Sequence, residues 1–353
     1  MTAFAINGRF YGQSVTGVQR YGREILSEVD RILQERGQTA EILVPASVTA
    51  LPAFGAITAR RVPGASGHAW EQAILPARAG RPLLNLCNTA PLAVGRQIVC
   101  MHDTNVFDEP TSYSLAFRLL YRGLFPALAR RAAAITSVSR FSASRLGECL
   151  GVPARGITVA PNGHEHVFRW DAAASTLGER LSGIRPFVLL LGSRARHKNV
   201  GFVLRQAGAL DALGVDLVVA GGSAEIFAQT ESVVAANIHQ LGFVSDDDLA
   251  WLYGHALCLA FPSRSEGFGI PIVEAMALGC PVVASDRSCL PEICGDAALL
   301  AGPDDAPAWL AHVRTLATSP TLGDELRARG TERVKAFSWK SSAQTYLDLL
   351  GKI

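Results

Sequence analysis

The 353-residue chain has no apolar run approaching the ~18 residues of a membrane span. Its opening, MTAFAINGRFYGQ, lacks the basic-then-apolar pattern of an export signal. The seven cysteines (87, 100, 149, 258, 280, 289 and 294) are odd in number and contain no C-x-x-C. That argues against a disulfide frame or a zinc site and for small core residues in a reducing compartment. Excess charge is missing as well: Lys+Arg is 33, Asp+Glu is 31, and the net charge is +2. A surface built to grip long nucleic acid would be strongly basic, so nucleic acid is excluded as a partner. These absences lead to the expectation of a cytoplasmic protein, with peripheral contact on the inner face of the cytoplasmic membrane left open.

What is present is a large apolar content, 49% of residues, enough to bury a sizeable core. Short apolar runs alternate with longer helical patterns, the mark of βαβ units and a parallel sheet. Strands are expected at 4–7, 41–44, 83–86, 97–101, 134–138 and 156–159, with helices at 18–36 and 115–131. A second set follows: strands at 187–191, 216–220, 238–241, 258–261, 282–284 and 298–300, with helices at 200–213, 247–253, 271–278 and 309–316. The fold class is therefore α/β, with two Rossmann-like doubly wound domains facing a cleft. The join lies in the Gly-, Ala- and Ser-rich stretch 162–185, giving domains 1–168 and 169–337 and a closing helix, 338–353, free to pack back on the first. Ligands of open α/β sheets sit beyond the carboxyl ends of the strands, so the chemistry belongs in the strand-to-helix loops.

The richest such loop runs from Phe261 to Pro281. Pro271 suits a first helical turn and Gly279 suits the position just past the helix end. The N–H groups of residues 270–273, with the aligned peptide dipoles, make a place for an anion, most naturally a phosphate. Gly267 and Gly269 allow close approach to the backbone. Glu266 lies before this helix and Glu274 is expected in its first turn; both suit sugar hydroxyls. Taken singly, either acid reads as readily as a solvated loop residue or a helix-dipole partner.

Glu266 and Glu274, with seven residues between them inside EGFGIPIVEAMALGCPVVAS, resemble the E-x7-E motif of retaining glycosyltransferases of family 4, the GT-B fold. MHD (101–103), SVSRFSASRL (137–146), VAPNG (159–163), HKN (197–199), LGFVSDDDLAWLY (241–253) and LPEICGDAALL (290–300) look like further family segments in order. NGRFYGQSVTGVQRYGREIL (7–26) is similar to the opening of bacterial polysaccharide mannosyl- and rhamnosyltransferases.

The resemblance implies that Glu274 binds the ribose and Glu266 the donor sugar. It also implies backbone contacts to sugar and diphosphate from Gly267, Phe268, Gly269 and Ile270, with Phe243 on the donor side. Lys198 neutralises the leaving diphosphate. Family members carry an Arg soon after the strand glycine where this chain has Ser193, so Arg196 is the preferred substitute over Arg194. His102 lies near the donor sugar, and the loop carrying Gly12, Thr16 and Gly17 closes over the donor phosphates. The alternatives are a structural histidine and a plain βα turn.

Asp246-Asp247-Asp248 contains D-x-D, but acids opening a helix explain it more simply, and no metal is expected. Pro303-Asp304-Asp305 reads as a turn, and Gly221-Gly222-Ser223 as a turn or a nucleotide-side loop. Residues 115–131 mix leucines, aromatics and four arginines, which suits a helix packed on the sheet or one lying on an anionic membrane. The expectation is a metal-independent retaining hexosyltransferase without cofactor, its donor a nucleotide sugar, best GDP-mannose. Its acceptor is a glycan or a polyprenyl-diphosphate-linked glycan in cell-surface polysaccharide synthesis. The alternatives are a non-catalytic nucleotide-sugar-binding partner of another transferase and a same-fold epimerase or phosphorylase.

Overall fold

The computed structural model describes residues 2–222 and 235–353, so Ser223 of the Gly221-Gly222-Ser223 turn lies outside the described residues. The chain divides into two compact units, one of Met1–Asn162 with Ser338–Ile353, the other of Gly163–Phe337. The division falls at 162/163 where the sequence suggested 168/169, because the short turns from Glu165 onward pack with the second unit, as His166 against Glu274.

The first unit is a seven-stranded parallel sheet: β1 (Thr2–Asn7), β2 (Thr39–Pro45), β3 (Ile57–Val62), β4 (Leu83–Asn85), β5 (Gln97–Cys100), β6 (Ala134–Ser137) and β7 (Ile157–Val159), ordered β3-β2-β1-β4-β5-β6-β7. Central strands read as unbroken apolar runs because helices cover both faces. β5, for instance, is buried throughout. β3 escaped the sequence reading. Its ITARRV buries only the two end residues, and Arg60 instead pairs with Glu41 of β2 at 3.0 Å. An edge strand satisfied by charge rather than burial carries no apolar period to detect.

The closing helix Trp339–Leu350 belongs to this unit. Trp339 and Tyr346 are buried. The Tyr346 hydroxyl lies 2.7 Å from that of Tyr21, in the helix Gly17–Glu35, and 2.8 Å from Thr136 Oγ1 on β6. Tyr21 also donates to the Ala160 carbonyl, 2.9 Å away, and Ser342 Oγ donates to the Pro161 carbonyl at 2.7 Å.

The second unit is a six-stranded parallel sheet of β8 (Phe187–Leu191), β9 (Asp216–Ala220), β10 (Ile238–Gly242), β11 (Cys258–Phe261), β12 (Val282–Ser285) and β13 (Leu299–Ala301), in the order β10-β9-β8-β11-β12-β13. One face packs Val188, Leu190, Val219 and Ala260 against Phe202 and Trp309. The single helix expected at 200–213 is two, Val200–Leu204 and Ala207–Ala212. A helix not anticipated, Pro320–Val334, buries the small or spaced residues Gly323, Leu326, Gly330 and Val334. Gly330 lies against Met276: an added Cβ would sit 3.2 Å from that side chain. Close packing through glycine left too few apolar residues for the pattern to register.

Tyr346→Phe should take one hydrogen-bond partner from each of the Tyr21 and Thr136 hydroxyls in a dry site, Tyr21 keeping the Ala160 carbonyl, and cost about 1–2 kcal/mol. The check is the urea midpoint, with the Tyr21→Phe/Tyr346→Phe double variant losing less than the sum of the two singles.

Candidate active site

In the second unit, β11 leads through Pro262–Gly269 into the helix Ile270–Ala277. Pro271 stands in its first turn, and Gly279 follows the end with φ +74°. Gly269 caps the start with φ +93°, a conformation side chains resist, and a Cβ there would meet Leu290 at 3.2 Å. The backbone conformation is what calls for glycine, and the Leu290 contact adds crowding. The supply of donors is narrower than residues 270–273 suggested. Pro271 has no N–H, and Ile272 donates to the Gly269 carbonyl at 3.0 Å. What remains is the N–H of Phe268, Gly269 and Ile270, none hydrogen-bonded to a described residue, in a segment buried from Ser265 to Ile270. Gly267, also buried, is otherwise engaged. Buried amides in that condition call for an acceptor, and the helix dipole favours an anionic one.

Glu266, 7% exposed, is brought together with Lys198, whose ammonium lies 2.6 and 2.8 Å from the two carboxylate oxygens. The Glu266 N–H donates to Ser288 Oγ at 3.1 Å. Lys198 closes the short turn Arg196–Lys198 and also lies 5.7 Å from the centre of the Phe261 ring. Asn199 follows in left-handed conformation, φ 54°, and its Nδ2 donates to the Pro303 carbonyl at 2.8 Å. The Arg264 N–H donates to the His197 carbonyl at 2.7 Å, tying the lysine turn to the β11 loop. At the end of β8, a Cβ on Gly192 would stand 2.6 Å from the Gly221 carbonyl oxygen, so the two strand ends can approach only because Gly192 has no side chain.

Glu274 is the fifth residue of its helix, past the first turn in which it was expected, so the alternative of a helix-dipole partner loses its footing. It is buried, with Oε1 2.9 Å from His166 Nε2 and Oε2 accepting from the Tyr253 hydroxyl at 3.2 Å. Each oxygen keeps a second acceptor site. The two glutamates are thus held by different partners. His166, Tyr253 and Ser288 were missed because they lie far along the chain from the motif, and a lone His, Tyr or Ser in sequence carries no sign of its partner.

Arg196 is exposed, and Phe243, after β10, is 91% exposed. Asp248 and Ser245 cap the helix Asp246–His255 reciprocally, at 3.0 and 3.1 Å, while Asp247 accepts from the Asp171 N–H at 2.7 Å. Among the described residues no group of three His, Cys, Asp or Glu is placed to hold a metal ion.

His102 and Gly17 belong to the first unit. His102, just past β5, is 5% exposed, its Nε2 2.8 Å from the Leu86 carbonyl and its N–H bonded to Asn88 Oδ1 at 2.8 Å. Tyr21 meets the ring edge-on at 4.8 Å. Burial pulls this imidazole down, but the neighbouring Cys100 and the Leu86 carbonyl favour the protonated ring and leave it above the ordinary histidine value. Gly17, exposed, opens its helix after Thr16, whose N–H donates to Gln19 Oε1 at 3.2 Å.

Residues 185–319 match the family model described as Glycosyl transferases group 1. Over 104 residues the chain is 44% identical to O-antigen chain mannosyltransferase B of Escherichia coli, covering 30% of this chain and 27% of that protein. It is 27% identical over 238 residues to O-antigen chain mannosyltransferase RfbU of Salmonella typhimurium, covering 66% and 64% of the two chains. The fold is that of sucrose-phosphate synthase from Thermosynechococcus elongatus, with TM-score 0.75, 19% identity and all of both chains covered. It is the GT-B fold, two Rossmann-like parallel-sheet domains.

Removing the ammonium should leave Glu266 buried and unpaired. Lys198→Met is expected to lower stability by about 1–2 kcal/mol, discounted from a fully buried pair because Lys198 is partly exposed. Lys198→Met/Glu266→Gln should recover most of that loss in a urea double-mutant cycle.

Proposed function

We propose that this chain, whose residues 185–319 match the family model described as Glycosyl transferases group 1, is a retaining hexosyltransferase. It takes its sugar from a nucleotide-diphosphate donor, best GDP-mannose, and passes it to a glycan or polyprenyl-diphosphate-linked glycan of the cell surface. The observation that carries the reading is the set of unpartnered amides of Phe268, Gly269 and Ile270 beside the Lys198–Glu266 pair. Mannose as the sugar is supported by the likeness to two O-antigen chain mannosyltransferases, whose names concern those proteins.

In this reading the amides receive the diphosphate, and Lys198 gains a second anion there. Developing negative charge on the leaving phosphate is then met by fixed donors that need no reorganisation. Glu266 contacts the donor sugar, and the spare acceptor sites of Glu274 take the ribose hydroxyls, with His166 and Tyr253 fixing the carboxylate. The acceptor oxygen bonds to the anomeric carbon on the face from which the diphosphate departs. The acceptor's hydroxyl proton passes to a leaving phosphate oxygen. Every charge that develops has a residue assigned to it without a metal ion. Arg196 and Phe243, both of the second unit, complete the donor contacts proposed there.

A membrane-borne acceptor also gives a use to the helix Leu115–Arg131. Its inner face buries Tyr121, Leu124, Phe125 and Leu128, while Leu115 and Leu119 are each 64% exposed at its start and Arg122, Arg130 and Arg131 are exposed further along it. No acidic residue occurs between Glu109 and Glu148. That composition suits contact with an anionic bilayer surface. No helix of the described residues is long and apolar enough to cross a membrane.

In a thermal-shift screen of nucleotide sugars, the true donor should raise Tm by mass action. Glu274→Ala should weaken nucleotide binding by about 1.5–3 kcal/mol in calorimetry; equal affinity would remove Glu274 from the site. Leu115→Asp/Leu119→Asp and Arg122→Glu/Arg130→Glu variants should each lose sedimentation with phosphatidylglycerol vesicles. Unchanged sedimentation would rule the helix out as the contact.

A further inference from the structure

In the first unit the sheet order reverses between β1 and β4, and ligands of open parallel sheets bind beyond the carboxyl ends at such a reversal. A buried polar network crowns those two ends. Asn7, the last residue of β1, donates to Asn85 Oδ1 at 3.0 Å and to Glu71 Oε1 at 2.8 Å. Arg9 Nε and Thr89 Oγ1 each reach the same Glu71 oxygen at 3.1 Å, and Arg9 Nη2 donates to Thr89 Oγ1 at 2.7 Å. Glu71 is 1% exposed. Its other oxygen has one neighbour, Nδ1 of His68, at 3.4 Å. Burial works against ionisation of Glu71, but His68, Arg9, Asn7 and Thr89 together hold its carboxyl below the usual range.

An ionised carboxylate at Nδ1 stabilises the Nδ1–H tautomer, which leaves Nε2 as a bare acceptor. His68 is one-third exposed, its ring meets Tyr121 edge-on at 6.0 Å, and its Nε2 bonds to no described residue. A cavity of about 10 Å³, room for one water-sized group, is lined by Asn7, Arg9, Glu71, Leu86 and Thr89. A network that only pinned the loops together would be complete with Asn7, Arg9, Thr89 and Glu71. The second oxygen of Glu71, turned to a solvent-reaching imidazole, adds nothing to that task.

We propose that His68 binds the acceptor, its Nε2 taking a hydrogen bond from a hydroxyl of the acceptor sugar, with Glu71 as the positioning residue behind it. This rests on the glycosyl-transfer reading above and assigns His68 no proton transfer. The test uses the full chain, the nucleotide sugar that most raises its Tm, and octyl α-D-mannoside, α-D-glucoside and α-L-rhamnoside as acceptors. His68→Ala should lower kcat/KM for the acceptor about tenfold, the scale of one lost hydrogen bond to a ligand, through acceptor KM and with donor KM unmoved. His68→Gln, whose amide reaches the place of Nε2, should recover most of the loss; His68→Asn, whose amide stops near Nδ1, should not. Glu71→Gln should shift acceptor KM in the same direction. An unchanged acceptor KM in His68→Ala overturns the inference, as does equal behaviour of the Gln and Asn variants. So does a wild type that binds donor yet transfers to none of the three glycosides. Should no nucleotide sugar raise the wild-type Tm, it is the glycosyl-transfer reading that fails, and this inference with it.

Discussion

A backbone N–H taken out of water must be given an acceptor, and at the start of the helix Ile270–Ala277 stand three such groups for which no described residue is the acceptor. The rest of the second unit holds that arrangement open. Gly269 turns the chain through a conformation that side chains rarely adopt, and Leu290 stands close enough to crowd an added Cβ. Gly330 lets the helix Pro320–Val334 lie close against Met276, fixing the helix from behind. The Lys198–Glu266 pair stands beside the amides, its ammonium bound to both carboxylate oxygens yet partly exposed.

The first unit follows another logic. Its strand ends are not left wanting partners but are over-supplied with them. Glu71 draws three donors to one oxygen, Tyr346 joins two elements through hydroxyls, and His102 is bonded at both backbone and ring. Such buried polar networks are costly when broken and specific when whole. They make the carboxyl edge of this sheet a rigid frame, from which the partly exposed His68 reaches solvent.

Much of this was legible in the chain. Strands buried on both faces announce themselves as apolar runs, and eleven residues from Phe268 to Leu278 spell loop, capping glycine, Pro in the first turn and helix in order. What escaped was whatever owed its place to something other than apolar periodicity. β3 is held by an arginine–glutamate pair at an edge, the helix Pro320–Val334 packs through glycines, and the break at Arg205–Gln206 divides what reads as one helical run. The free donors at the start of the helix Ile270–Ala277 were overcounted for the same reason: a run of residues says how many N–H groups exist, not which are already taken.

By itself, then, the amino-acid order determined two α/β sheets, the loop after β11 and the identity of the acids flanking it, because burial periods and turn chemistry act over a few neighbouring residues. Tertiary structure alone decided that Glu266 meets Lys198, that Glu274 is gripped by His166 and Tyr253, and that Glu71 turns an oxygen toward His68. Apart from His68 and Glu71, three residues apart, those partners stand 21 to 108 positions away in the chain. Their encounter depends on how parallel strands are ordered within a sheet, which no local rule of helix or turn contains.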